Sequence, residues 1–330
     1  MMTDYLEQGI FTEYKDSYIY VERTLLDGSI RPGIVGVIDL EEYNYKPGST
    51  SLIRATEQTV TERIPIRKAI RQNAPLELSH VILLCDDERK ELIEPLKLTK
   101  HSMRKLYGFD LMMGGGNIQG WLIEGDHARA FNTRLAGYIR RKRKELSLVF
   151  AVGDGNHSLA AAKACYEEDR DNPLARYAMV ELENIHDDSL KFEPIHRIIR
   201  GVDPDEVLAA MKDEICAGMF SSSWPVRWHA QGRKGTLHID KSKGASALIV
   251  LQGWLDRKHY SIDYIHGEEV LASLAAREKY LGFELPAFDA AAKRDFFRVI
   301  SESGVLPRKT FSMGHAQEKR YYLEARRIRG

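Results

Sequence analysis

The chain has 330 residues, 43% of them hydrophobic and 29% charged, and its 48 Lys and Arg balance 48 Asp and Glu. This composition excludes disorder as the main state. The balanced charge provides no general field for holding a polyanion, so no duplex nucleic acid partner is expected. No run of ~18 apolar residues suggests a membrane span, and Met1–Tyr20 carries charges throughout, unlike a signal peptide. Cys85, Cys165 and Cys216 form no Cys-x-x-Cys pair, so neither a disulfide framework nor a thiolate zinc site is expected, and a cytoplasmic location fits.

Taken in chain order, Ser17–Arg23 and Gly33–Leu40 read as strands, with Leu26-Asp27-Gly28-Ser29 as the turn between them. From Ser49 to Asn73 the pattern reads as helical and charged, with a break at Pro65. His80–Cys85 suits a buried strand, and Leu92–Leu106 a helix. Gly114-Gly115-Gly116 reads as a loop, Gly120–Glu124 as a strand and Asp126–Lys144 as a helix. Its basic run Arg140-Arg141-Lys142-Arg143-Lys144 reads as a solvated face. The best-defined unit follows: strand Ser147–Val152, polar loop Asp154–Ser158, alanine-rich helix Leu159–Asp169, then strand Tyr177–Leu182 after Asn172-Pro173.

Beyond Arg200 the texture changes. Asp203-Pro204-Asp205 opens a helix. Val226–His229, Gly235–Ile239, Ala247–Gln252 and His259–Tyr264 read as a β-rich segment. Helices are expected around Val270–Tyr280 and Ala287–Ser303, and a last strand at Tyr321–Ala325. The predicted fold class is α/β, with α+β as the alternative: a mixed sheet with flanking helices and a smaller β-rich C-terminal segment. Length suggests two domains, placed at residues 1–200 and 201–330.

The chemistry centres on Gly153-Asp154-Gly155-Asn156-His157-Ser158. A strand that stops at glycines and reopens as a helix allows close backbone approach, and presents unpaired N–H groups suited to phosphate or carboxylate. Asp154 is a candidate metal ligand or base, and His157 a phosphate donor or proton shuttle. Ser158 has a plainer reading as the helix cap, and an Asp-Gly turn with a serine cap is also a common purely structural device. The spacing matches neither Gly-x-x-x-x-Gly-Lys-Ser/Thr nor a dinucleotide fingerprint.

The segment Val149–Ser158 with its alanine-rich helix resembles the signature of domain-of-unknown-function family 1015, which typically reads Ala-Asp-Gly-His-His-Arg here. The likeness continues through Asn184-Ile185-His186-Asp187-Asp188, Glu193-Pro194-Ile195-His196-Arg197, Ile262–Gly267 and Leu306–Gly314, and so covers most of the chain in order. The loop is also similar to the phosphate-binding loop of the ParB/sulfiredoxin superfamily, some members of which bind nucleotides and some of which are free-serine kinases. Asn156 and Ser158 stand where the family often has His and Arg, and losing that arginine removes a bidentate phosphate clamp. Arg54, Arg63 and Arg197 are the candidates to replace it.

Other clusters invite both functional and structural readings. Arg54-Ala55-Thr56-Glu57 reads as a helix start on which Arg54 and Glu57 share a face, with Glu57 a candidate general base or half of a surface ion pair. His186-Asp187-Asp188 and His196-Arg197 suit a ligand or a polar turn, Asp187 being a second metal candidate beside Asp154. Lys309, Thr310 and Ser312 suit a phosphate rim or a basic loop.

Together these features imply a nucleotide-dependent phosphotransferase acting on a small hydroxyl-bearing metabolite, by resemblance free serine, with ATP or ADP and Mg²⁺ as cofactors. Gly153, Gly155, Asn156 and Ser158 would hold phosphates, with His196, Lys309, Thr310 and Ser312 contributing. The alternative is a non-catalytic nucleotide- or anion-binding regulatory protein. The expectation is that segments 54–63, 153–158, 186–197 and 308–314 converge.

Overall fold

The computed structural model describes residues 2–78, 81–219, 221–286, 288–313 and 323–329. The chain divides into two compact units, Met1–Leu190 with Gly314–Gly330, and Lys191–Met313. The first boundary thus falls ten residues before the expected 200, and the end of the chain returns to the first unit.

The first unit opens with α1 (Met2–Glu7) and the hairpin β1 (Tyr18–Thr24) and β2 (Ile30–Asp39). Gly28 supplies the positive φ of their turn, and Asp27 accepts from the Ser29 N–H. There follow β3 (Tyr43–Asn44), β4 (Ile53–Ala55), α2 (Ile64–Arg71), β5 (Leu76–Leu78), β6 (Ile82–Cys85), α3 (Glu94–Thr99), β7 (Arg104–Asp110) and β8 (Asn117–Ile123). The unit continues with α4 (Gly125–Glu145), β9 (Phe150–Asp154), α5 (Asn156–Glu168) and β10 (Tyr177–Asn184).

Nine strands form one mixed sheet in the order β3-β4-β9-β6-β10-β2-β1-β8-β7. Because side chains alternate along a strand, each strand divides its residues between two environments. Tyr20, Ile34, Val180 and Leu182 join Phe131 and Tyr138 of α4 and Leu159 of α5 in the main core. Val21, Val35 and Met179 form a smaller apolar cluster on the other face, where the ion pairs Arg23–Glu181 (3.1 Å) and Arg31–Glu183 (3.1 Å) are buried.

The second unit runs β11 (Phe192–Arg200), α6 (Pro204–Glu214), β12 (Ser223–Ala230), β13 (Arg233–Asp240), α7 (Ala247–Arg257), β14 (Ile262–His266), α8 (Glu268–Ala275), β15 (Tyr280–Glu284), α9 (Ala290–Ser303) and β16 (Phe311–Met313). Its six-stranded sheet has the order β13-β12-β15-β11-β14, with β16 also on β11. Val207, Leu208 and Met211 of α6 and Leu251, Trp254 and Leu255 of α7 build its core. Near the end of the chain, β17 (Ala325–Arg327) pairs with β5.

The fold class is the expected mixed α/β one, with several local corrections. Residues 49–73 contain a strand, β4, before the helix, and Pro65 sits in the first turn of α2, where its missing N–H costs nothing. The expected helix Leu92–Leu106 stops at Thr99 and its end becomes β7. Ala247–Gln252 is helical: Ser246 caps it, and Ala247, Val250, Leu251, Trp254 and Leu255 follow helical spacing once the window extends past Gly253. Helix α8 ends at Ala275, short of the expected Tyr280, which instead opens the central strand β15. Of the expected last strand, residues 321–322 lie outside the described residues, as do Gly314, His80 and Ala287. The basic run of α4 is not wholly solvated: Lys142 is buried, its Nζ 2.6 Å from Asp86 Oδ2. Among the described residues no helix is long and apolar enough to cross a membrane.

Candidate functional site

The expected loop Asp154–Ser158 is shorter than its sequence suggests. Strand β9 runs through Asp154 and α5 begins at Asn156, leaving Gly155 alone as the link. Gly155 makes this possible with φ +88°, a conformation that a side chain would strain. Gly153 has its own reason. Ile82 pairs with Asp154 and Leu83 with Val152, so Gly153 is the extra residue of a bulge. Asp154 Oδ1 accepts from the Gly155 N–H at 2.8 Å. Ser158 is not the cap: it lies in the first turn, its N–H bonded to Gly155 O at 2.9 Å, and no side chain caps α5.

Beside this helix start runs the segment after β4. Arg54 and Ala55 pair in parallel with Ala151 and Val152, so the segment bearing Glu57 leaves β4 at the end where β9 runs on to Asp154. Thr56 Oγ1 donates to Val152 O at 2.7 Å, fastening that segment to β9. The Val60 N–H donates to His157 Nε2 at 3.1 Å. This bond needs a lone pair on Nε2, so the imidazole is neutral with its proton on Nδ1. Burial lowers the His157 pKa from its usual value, and the Arg67 and Arg63 guanidinium groups add to the effect. Flanking this bond on either strand of chain, Thr59 Oγ1 and Asn156 Oδ1 are buried without a hydrogen-bond partner among the described residues. Buried polar atoms are rarely left so.

The sequence-derived candidates of the first unit fall into three places. Glu57, Arg63, Gly153, Asp154, Gly155, Asn156, His157 and Ser158 gather at the β9–α5 junction with Thr56 and Thr59 of the expected segment 54–63, joined by Arg67, which the sequence reading passed over. Arg67 was legible: it stands four residues after Arg63, one helical turn on. Arg54 does not join them. It lies on a strand, not a helix start, and its buried guanidinium donates to Ser49 O (2.8 Å) and Ser147 Oγ (3.0 Å) at the opposite end of β9.

Asp187 and Asp154 are also kept apart. Asp154 pairs with Ile82 at the start of β6, whereas Asn184 pairs with Cys85 at its end. That strand length is about 10 Å, and Asp187 spends Oδ1 on the Ser189 N–H at 2.9 Å. Among the described residues no three His, Cys, Asp or Glu side chains form a metal-binding group.

In the second unit, Arg197 is fully buried. Its Nε donates to Gln252 Oε1 (2.8 Å), and its terminal nitrogens donate to the carbonyls of Ile195, Lys309 (2.9 Å) and Arg308 (3.3 Å). His196 Nδ1 accepts from the Leu285 N–H at 3.1 Å, and burial lowers its pKa. Thr310 Oγ1 donates to Pro307 O at 2.5 Å, and Ser312 pairs with Glu193 in the sheet. Lys309 Nζ lies 5.6 Å from the Tyr264 ring centre. Arg197, His196 and Thr310 serve as internal ties.

The family model described as "Protein of unknown function (DUF1015)" matches residues 1–327. The chain belongs to this family. No curated protein matches it. Among solved structures, truncated SbnI from Staphylococcus aureus is 8% identical, with 84% of this chain and 82% of that chain covered and a TM-score of 0.44. A conserved hypothetical protein from Pyrococcus furiosus is 11% identical over 86% and 91% of the two chains, with a TM-score of 0.39. A free serine kinase in complex with AMP is 12% identical over 84% and 86%, with a TM-score of 0.41.

Proposed function

We propose that this DUF1015 protein is a nucleotide-dependent phosphotransferase whose acceptor is a small hydroxyl-bearing metabolite, with a free amino acid such as serine the leading case. The observation that carries the reading is the β9–α5 junction. There an uncapped helix start, two unpartnered buried oxygens and a neutral histidine meet a segment bearing Glu57.

Each group has a physical role. The first-turn N–H groups of Asn156 and His157 suit phosphate oxygens, as a helix start supplies both donors and a positive dipole end. His157, held neutral, offers Nδ1–H as a donor. Arg63 and Arg67, whose charges already act on His157, provide the positive field that the loop loses with Ser158 in place of arginine. Glu57 takes the proton of the acceptor hydroxyl as its oxygen bonds to the terminal phosphorus and the bond to the leaving nucleoside diphosphate breaks. Mg²⁺ asks for only one or two carboxylates when phosphates complete its shell, and Asp154, at the end of β9, is the residue suited to hold it.

Calorimetric titration with ATP and ADP, with and without Mg²⁺, tests this. Wild-type protein is expected to bind nucleotide, and Asp154→Ala and His157→Ala to weaken binding at least about tenfold while remaining folded. Phosphorylation of serine and related hydroxyl compounds then follows for wild type and is lost in Glu57→Gln. Absence of nucleotide binding sinks the proposal. Binding with no turnover on any acceptor favours the regulatory alternative.

A further inference from the structure

A second concave site lies elsewhere in the first unit, well apart from the β9–α5 junction in sequence and lining. It is a cavity of about 480 Å³ between one face of α4 and the segment leading into α3. That volume falls within the range of small-molecule sites. On the α4 side it is lined by Arg134, Gly137, Tyr138 and Arg141, spaced three, four and seven residues apart so that they share one face. Leu92 and Pro95 contribute apolar surface opposite.

The two arginines differ in how their charge is met. Arg141 is satisfied: its guanidinium lies 3.4 Å from Asp87 and 3.1 Å from Glu91, and 5.7 Å from the Tyr138 ring centre. Arg134 has no carboxylate partner among the described residues, and its Nε is buried without a hydrogen bond. Burial alone accounts for the lowering of its pKa, with no neighbouring acid to oppose it. A half-buried guanidinium whose Nε is shut off from water without a partner leaves a donor that an anion can complete.

Gly137 is an independent sign. It stands within a 21-residue helix, where glycine costs about 1 kcal/mol relative to alanine. Packing does not require it: a methyl group built there meets nothing within 4 Å. What the missing side chain preserves is open space on the cavity wall, beside Arg134.

The geometry points to a binding site for a small organic anion, with its carboxylate or phosphate oxygens on Arg134 and its apolar body over Gly137 against Leu92 and Pro95. The planar guanidinium fork suits either oxyanion. Of the other charged groups on the lining, Lys90 favours the same sign of charge, and the carboxylates of Asp87 and Glu91 are paired with Arg141.

Benzoate and phenyl phosphate are the probes, titrated into the full chain by protein-observed NMR. At least one is expected to bind saturably, with the preferred probe telling carboxylate from phosphate. Arg134→Gln should weaken that binding at least about tenfold, as the loss of a charge-assisted pair implies. Gly137→Leu should abolish it by filling the cavity, without lowering the unfolding midpoint. His157→Ala should leave it unchanged, which separates this site from the phosphotransferase reading. Failure of both probes to bind overturns the inference. So does binding that survives both Arg134→Gln and Gly137→Leu, or binding that His157→Ala removes.

Discussion

Two polar clusters of similar composition came to opposite ends. The segment around Arg308–Thr310 with His196 and Arg197 holds cations, hydroxyls and a histidine, and so does the β9–α5 junction with Glu57–Arg63. In the second unit those groups are spent on the fold, with the Arg197 fork tying three backbone carbonyls and one side-chain amide. At the junction, Thr59 Oγ1 and Asn156 Oδ1 keep unused valence, and α5 starts with no side-chain cap. The difference teaches that residue type marks a cluster as polar, whereas unspent hydrogen-bonding capacity marks it as a candidate site.

The comparison can be broken first at Arg197. Arg197→Met removes a buried fork that donates to three backbone carbonyls and one side-chain amide. A loss of about 3–5 kcal/mol in urea unfolding is expected, as for breaking a buried charged network. A loss under ~1 kcal/mol, within the range of surface substitutions, would return Arg197 to the list of available phosphate ligands.

An intermediate effect concerns His157 and pH. Its folded pKa lies below the ordinary histidine value of 6.5, so the unfolded chain takes up the proton first. Its contribution to stability is therefore fully present above pH 6.5 and declines as pH falls towards the folded pKa. Unfolding free energies measured across that window should fall less steeply with acidification in His157→Gln than in wild type. His196, shifted the same way, remains in both proteins and cancels in the difference. Identical slopes would mean that His157 titrates normally and is not held neutral.

The smallest effect sharpens the geometry of the junction. Ser246 caps α7, accepting from the Ile249 N–H at 3.3 Å, whereas Ser158 sits inside the first turn of α5. Ser246→Ala is expected to cost about 1 kcal/mol, and Ser158→Ala under about 0.5 kcal/mol by thermal unfolding. Equal losses would show that Ser158 does cap the helix and that the junction is a structural turn.

Much of the organisation was legible locally. The Asp27-Gly28 hairpin, the buried run ending at Cys85, the long helix α4 and the strand–glycine–helix step at 153–158 each carry their signal within a few residues, because turn chemistry and hydrophobic period are short-range. The misread elements were those in which a local pattern fitted two structures. Ala247–Gln252 is an apolar run that suits a strand or a buried helix. Tyr280–Glu284 is short enough to be absorbed into a neighbouring helix, although sheet pairing places it at the centre. Arg67 was passed over although its spacing from Arg63 was legible, because nothing along the chain shows that its charge acts on His157.

By itself, then, the sequence determined the balanced charge, the α/β class, the family and the junction on which the chemistry was expected to turn. Only the tertiary structure decided which of its polar residues have anything left to bind with. It ran β4 parallel to β9, so that the segment bearing Glu57 leaves at the Asp154 end, and set Asp187 beyond the far end of β6. It turned Arg54 and Arg197 inward and left Arg134 facing a cavity without a counter-ion. The physical reason is that hydrogen-bond donors, acceptors and charges are satisfied by partners distant in sequence. Whether a side chain is already spent cannot be read from its neighbours along the chain.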